Sequence, residues 1–280
     1  MLKYLALLCC FITYTAIASC HPDSDSCAPV SQWQFSIALG GGVHTNPLNG
    51  GDNIPLVLVP SVSYYGENLF FDNGLLGYSL LENERLVFSA VTQLNQEKAY
   101  FTRWHPKNIF VVSMNNAFHG AAKESIDINQ VDDRDWALDA GGQVNWFIEQ
   151  HTDVMAKLLW DVSSVYQGYT GELSVNHRVT VPFIEHSQLS FGLGAQVNSR
   201  KLVNYYYGVE QQDSLFTQIT FKGKTSINPV FHVKFTKAIS TQWRLSFYWK
   251  RKLLDANTAN SPLINSSQID TVFLGMEYAF

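Results

Sequence analysis

The feature that most constrains this chain is a series of segments in which apolar and polar residues alternate. In Gln242–Arg251, the residues Trp243, Leu245, Phe247 and Trp249 alternate with Arg244, Ser246, Tyr248 and Lys250. A period of two is typical of a β-strand with one apolar face and one polar face. The segments are about 10 residues long, as a strand crossing a bilayer must be, whereas strands of soluble proteins average about 5 or 6 residues.

The composition favours a membrane barrel over other classes. Charged residues make up 15% of the chain and aromatic residues 14%, whereas soluble domains contain about 25% charged residues. A mean hydropathy of −0.05 is too polar for a bundle of membrane helices. The net charge of −5 and the lack of any Lys/Arg block argue against a nucleic-acid partner.

The end of the chain and its aromatic residues indicate which membrane. Aromatic residues stand near segment ends, as the interfacial girdles of barrels require: Trp33, Trp136, Trp146, Trp160, Trp243, Trp249 and Tyr278. Gly275, Tyr278 and Phe280 resemble the C-terminal signal read by the outer-membrane insertion machinery. We therefore predict an all-β fold, a transmembrane antiparallel up-and-down β-barrel over residues 33–280, in the outer membrane of a Gram-negative bacterium.

The strand number follows from closure and parity. A closed barrel leaves no strand edge unpaired in lipid, and with both termini in the periplasm the number is even. We predict periplasmic turns near Ile239, Glu185 and Gln150 and extracellular loops near Asn257, Asn204 and Lys123. Parity then requires a hairpin within Phe70–Gly74, where Asn-Gly is a strong turn signal. This gives twelve strands; an alternative places an extra strand at Asn108–Asn115.

The first 32 residues read as export and tail segments. Residues 1–18 have a short basic start, an apolar run and a small-x-small cleavage site, which predicts a signal peptide. Residues 19–32 would form a periplasmic tail, in which Cys20 and Cys27 are a possible disulfide in an oxidising compartment. The sequence around Cys20 also resembles a lipobox, so lipidation of Cys20 is the alternative.

Charged residues on the polar faces are predicted to line the lumen, since a charge facing lipid costs about 2–4 kcal/mol at the midplane. They are Lys157, Asp161, Glu172, Arg178, Lys234, Arg244, Lys250 and Glu277. Both signs occur, so they either pair across the lumen or coat a narrow channel. We identify no catalytic residues, metal ligands or cofactor site, and the histidines are scattered. The Asp132, Asp133 and Asp135 cluster reads as a solvated loop, the alternative being a site for a divalent ion that bridges lipopolysaccharide.

Several motifs resemble the MltA-interacting protein family, also called MipA/OmpV. They lie in Pro60–Phe71 with the following Gly77 and Tyr78, in Tyr206–Val209, and in Tyr248–Asp255 with the following Ser261–Ile264 ahead of the last strand. The motif residues are Tyr64, Tyr65, Gly66, Phe71, Gly77, Tyr78, Tyr207, Gly208, Val209, Ser261 and Pro262. The polar stretch Asn95–Val131 departs from the family pattern.

The resemblance implies a non-enzymatic outer-membrane protein embedded in lipid and lipopolysaccharide. It implies a scaffold that joins a murein lytic transglycosylase to a penicillin-binding protein, which together remodel peptidoglycan. Two alternatives stay open: a narrow channel for small solutes, and a surface adhesin that uses its long loops.

Overall fold

The computed structural model describes residues 31–102, 125–210 and 220–280. The strands are β1 (Trp33–His44), β2 (Ile54–Pro55), β3 (Leu58–Tyr65), β4 (Leu69–Asp72), β5 (Leu75–Glu82), β6 (Leu86–Leu94), β7 (Leu138–Glu149), β8 (Thr152–Asp161), β9 (Tyr169–Thr180), β10 (Ser187–Asn198), β11 (Ser226–Ala238), β12 (Trp243–Leu253) and β13 (Gln268–Ala279). Two α-helices, α1 (Arg200–Tyr207) and α2 (Ala256–Ala259), and 3₁₀ turns at Gln96–Phe101 and Ile128–Gln130 lie between them.

The strands close into a barrel of twelve. Each pairs antiparallel with its neighbours, and β13 returns to β1 in a register that runs from Ser36 opposite Ala279 to His44 opposite Thr271. β2 and β3 both pair with β1, so they are one wall strand interrupted between them. Both the predicted architecture and the predicted strand number are confirmed.

The hairpin required by parity lies at Asn73–Gly74. Both residues have positive φ, 47° and 95°, which is the backbone that an Asn-Gly turn between short strands adopts. The Asn73 amide donates to the Val62 carbonyl at 3.0 Å, and its side-chain oxygen accepts from the Val62 amide. β4 therefore has only four residues. Residues 58–61 of β3 extend past this turn. The backbone of Pro60 faces the same side of β3 as the backbone of Val62. Because proline has no N–H group, no donor is left unpaired there.

The barrel has an apolar outer face and a polar inner face. Leucines that point outward are among the most exposed side chains: Leu39, Leu58, Leu158, Leu173, Leu193 and Leu274. The two ends differ. The terminal end carries short turns together with Trp33 and Phe280, whose amide donates to the Phe35 carbonyl. The loop end carries the long connections, which fold back over the lumen.

No helix in the described ranges is long and apolar enough to span a bilayer. The predicted signal peptide, the tail with Cys20 and Cys27, and the alternative strand Asn108–Asn115 lie outside the described residues.

Candidate functional site

The connections at the loop end pack together into one body, which we call the plug. It comprises residues 45–53, 95–101, 125–137, 199–209 and 254–267. Backbone hydrogen bonds join these segments to one another: the Asn49 amide donates to the Leu263 carbonyl at 2.7 Å, and the Ile126 amide donates to the Pro262 carbonyl at 3.0 Å. Segments far apart in sequence thus share one backbone network.

An apolar core holds the plug together. Its fully buried members include Leu48, Ala137, Leu202, Val203, Tyr206, Tyr207, Val209 and Leu263. Helix α1 supplies four of them, because its positions 202, 203, 206 and 207 fall on one helical face. The Ser199 hydroxyl caps the helix by accepting from the Leu202 amide.

A buried carboxylate lies at the centre of this core. Glu97 is 4% exposed and accepts hydrogen bonds from the Tyr207 hydroxyl and, at 3.5 Å, from the Asn198 amide group. The Lys252 ammonium, 9% exposed, lies 3.3 Å from the carboxylate and 5.5 Å above the Tyr100 ring. Burial and the Glu97 charge raise the pKa of the Tyr207 phenol well above its ordinary value, so Tyr207 is a permanent donor.

A second carboxylate extends the network towards β7. Asp139 accepts from the Tyr166 hydroxyl and from the Asn95 side chain, each at 2.7 Å. Asn95 also accepts from the Glu97 amide at 3.0 Å. The two buried carboxylates are therefore linked through one residue, and the network fixes the plug to strands β7, β10 and β12.

Between the plug and the terminal end, the lumen contains a polar cavity of about 630 Å³. Four of the charges predicted to line the lumen border it: Glu172, Arg178, Lys234 and Lys250. Four of the wall charges form two pairs across neighbouring strands, Lys157 with Glu172 at 3.1 Å and Arg178 with Asp153 at 2.9 Å.

The other three predicted charges lie elsewhere on the wall. Asp161 lies at the end of β8, where its carboxylate accepts from the backbone amides of Ser163, Tyr166 and Gln167. Glu277 accepts from the Ser36 hydroxyl at 2.7 Å and faces Arg244 in the β12–β13 register. In the described part of the chain, no three His, Cys, Asp or Glu side chains lie close enough to hold a metal ion.

A family model described as MltA-interacting protein MipA matches residues 37–280. The chain belongs to this family. The predicted family membership is therefore confirmed, and together with the closed barrel it identifies an outer-membrane β-barrel.

Named relatives agree with this assignment. The MltA-interacting protein of Escherichia coli strain K12 is 23% identical over 89% of this chain and 92% of its own length. The putative outer membrane protein YiaT of Escherichia coli O157:H7 is 26% identical over 65% of this chain, and the match spans 64% of that relative's length. Among solved structures, the COG4313 outer membrane channel from Pseudomonas putida F1 aligns over 94% of this chain and all of its own, at 11% identity and a TM-score of 0.44.

The residues that resemble MipA-family motifs fall into two places. Those from the second and third motifs meet inside the plug, where the Ser261 hydroxyl donates to the Tyr207 carbonyl at 2.7 Å and Pro262 bonds to Ile126. Gly208 ends helix α1, and Val209 pairs with Phe221 in an isolated bridge. Motifs distant in sequence therefore form one contact.

The first motif lies in the wall at the terminal end. Tyr64 and Phe71 point outward against Trp33, with ring centroids 5.1 and 6.1 Å away. Tyr65, Gly66 and Tyr78 belong to the same short hairpins. A Cβ atom at Gly77 would lie 2.1 Å from the Phe70 ring, so the absence of a side chain there lets Phe70 lie flat against β5.

The predicted insertion-signal residues lie where the barrel closes. Gly275 is opposite Gly40 in the β1–β13 register. Tyr278 contacts Trp243 and Phe280, each at a centroid distance of 5.0 Å. Their role in insertion stays a prediction.

Sequence reasoning missed the pair at the centre of the plug. Lys252 continues the alternation of β12, which places it on the inner face two residues after Lys250. Glu97 has no such signal, because its 3₁₀ turn lies in a polar stretch and its partner is 155 residues away.

Proposed function

We propose that this protein is a non-enzymatic scaffold of the outer membrane, which holds a murein lytic transglycosylase together with a penicillin-binding protein at its terminal end. The observation that carries this proposal is the plug, because a barrel packed shut at its loop end offers the terminal end as its contact surface. The relative named MltA-interacting protein, matched over nearly its full length, supports the class of partner. The proposal requires the terminal end to face the periplasm, as predicted for both termini.

The terminal turns have the composition of a protein contact surface. Phe183 is 95% exposed in the turn between β9 and β10, and Ile239 is 56% exposed in the turn between β11 and β12. Both side chains would bury apolar area against a partner that docks at this end. Four of the turns also carry exposed glutamates, namely Glu67, Glu82, Glu84, Glu149 and Glu185. These charges favour a partner with a basic surface.

Site-specific photo-crosslinking in intact cells tests the scaffold. We expect a photoreactive residue at position 183 to form an adduct with a lytic transglycosylase, because this side chain extends from the terminal end. A photoreactive residue at Val162, 57% exposed beside the loop end, is the matched control and should form none. Absence of a transglycosylase adduct at both positions 183 and 239, with the barrel correctly assembled, would reject the scaffold.

A narrow channel is the second candidate, and the 630 Å³ cavity is the observation that favours it. Planar-bilayer recording distinguishes the two functions. The scaffold predicts no unitary conductance from folded wild-type protein, because the buried core of the plug lies across the lumen. Reproducible conductance steps from pure folded protein would instead support the channel.

A further inference from the structure

We infer that the lumen cavity is a binding site for a small polyhydroxylated anion, such as a sugar acid or sugar phosphate, held by Lys234 and Lys250. This site requires only the barrel and does not depend on the proposed scaffold function.

Some of the charged side chains on the cavity wall form salt bridges and others do not. Arg178 is neutralised by Asp153 and Glu172 by Lys157. In the described ranges, Lys234 and Lys250 have no carboxylate oxygen within 4.0 Å. The remaining carboxylate of the cavity, Asp72 on β4, accepts from the Asn73 side chain at 2.8 Å and forms no salt bridge with Lys234 or Lys250. Neither lysine therefore forms a salt bridge with a described carboxylate.

The two lysines are neighbours on the cavity wall. They lie on adjacent strands and on the same inner face, since Lys234 is opposite Tyr248 and Lys250 is opposite His232. The Cα atoms of such diagonal neighbours are roughly 7–8 Å apart. The two flexible side chains can therefore bring both ammonium groups to one anion, which accepts charge-assisted hydrogen bonds from them.

The rest of the lining indicates what else the ligand carries. Ser174, Asn176, Ser190 and Tyr248 border the same cavity, and they offer hydroxyl and amide groups that match the hydroxyls of a polyol. Gly192 leaves room for the His232 ring, because a Cβ there would lie 1.9 Å from His232 Cε1. Polar groups thus border most of the cavity, beside the apolar Met155 and Val230, and the two lysines that form no salt bridge lie on β11 and β12.

Binding of gluconate and sorbitol to the full-length barrel in detergent tests the inference, since the two probes differ by one carboxylate. We expect titration calorimetry to show gluconate binding at least tenfold more tightly than sorbitol. The double variant K234Q/K250Q should weaken gluconate binding roughly a hundredfold, because each lost charge-assisted hydrogen bond contributes about tenfold or more. Lys237→Gln removes the same charge from β11 on the opposite face and should leave gluconate binding unchanged.

Two further experiments establish that a loss of gluconate binding comes from the cavity and not from misfolding. Heat-modifiable gel migration establishes that each variant is a folded barrel, and Ser174→Trp, which fills the cavity without changing its charge, should also abolish gluconate binding. Equal affinities for gluconate and sorbitol, or wild-type gluconate binding by folded K234Q/K250Q, would overturn the inference.

Discussion

Replacing Glu97 with alanine is expected to destabilise the barrel by about 3–5 kcal/mol, the range for removing one partner of a buried ion pair. The variant leaves the Lys252 ammonium in the core of the plug without its carboxylate, and it also removes the acceptor of the Tyr207 hydroxyl. The free energy of unfolding in lipid vesicles, followed by tryptophan fluorescence in urea, measures this loss.

A double variant separates the charge from the packing. Glu97→Leu combined with Lys252→Met removes both charges and keeps similar volumes, so it should recover the part of the lost stability that comes from the unpaired Lys252 charge, while the Tyr207 hydroxyl stays without its acceptor. The Arg251–Asp270 pair is a matched control, since it joins the same two classes of side chain at 2.7 Å but is more exposed. Asp270→Asn should cost about 1 kcal/mol or less. A Glu97→Ala variant as stable as Asp270→Asn would show that the buried pair does not hold the plug.

Replacing Val175 with arginine is expected to cost about 2–4 kcal/mol, because this residue faces lipid in the middle of β9. Ser174→Arg is the neighbouring control. Its side chain enters the polar cavity, where water solvates the guanidinium, so we expect a cost smaller than that of Val175→Arg even beside the cavity lysines.

The comparison depends only on the direction in which two adjacent residues point. Unfolding free energies of both variants in the same vesicles provide the measurement, and the fraction that assembles in cells provides a second one. Equal costs at positions 174 and 175 would contradict the assignment of the outer and inner faces.

The strands of the barrel wall were predictable because every second residue faces lipid and is therefore apolar. β12 and β13 show this alternation without interruption, and the twelve strands followed from closure with one turn, Asn73–Gly74. The interruption between β2 and β3 carries no comparable signal, since both pieces pair with the same strand, β1.

The plug was much harder to predict. The sequence predicts a long connection around Asn204, and the structure has one between β10 and β11, but it contains helix α1, whose apolar face of four residues was not predicted. Its burial depends on segments that lie far away in the chain, such as the one containing Leu48 and the one containing Leu263. Local patterns identify an amphipathic turn of helix, but they do not specify which surface will cover it.

The early return of the chain at Asn73–Gly74 also affects the surrounding bilayer. Four residues of β4 extend about 13 Å, whereas the apolar band of an outer-membrane barrel is about 25 Å tall. The paired wall is therefore shorter on this side than along β9 to β13. Lipids must thin beside β4, or the barrel must tilt towards it, at a cost of fractions of a kcal/mol per Å of mismatch. We therefore expect the bilayer to be thinner beside β4 than beside β9 to β13.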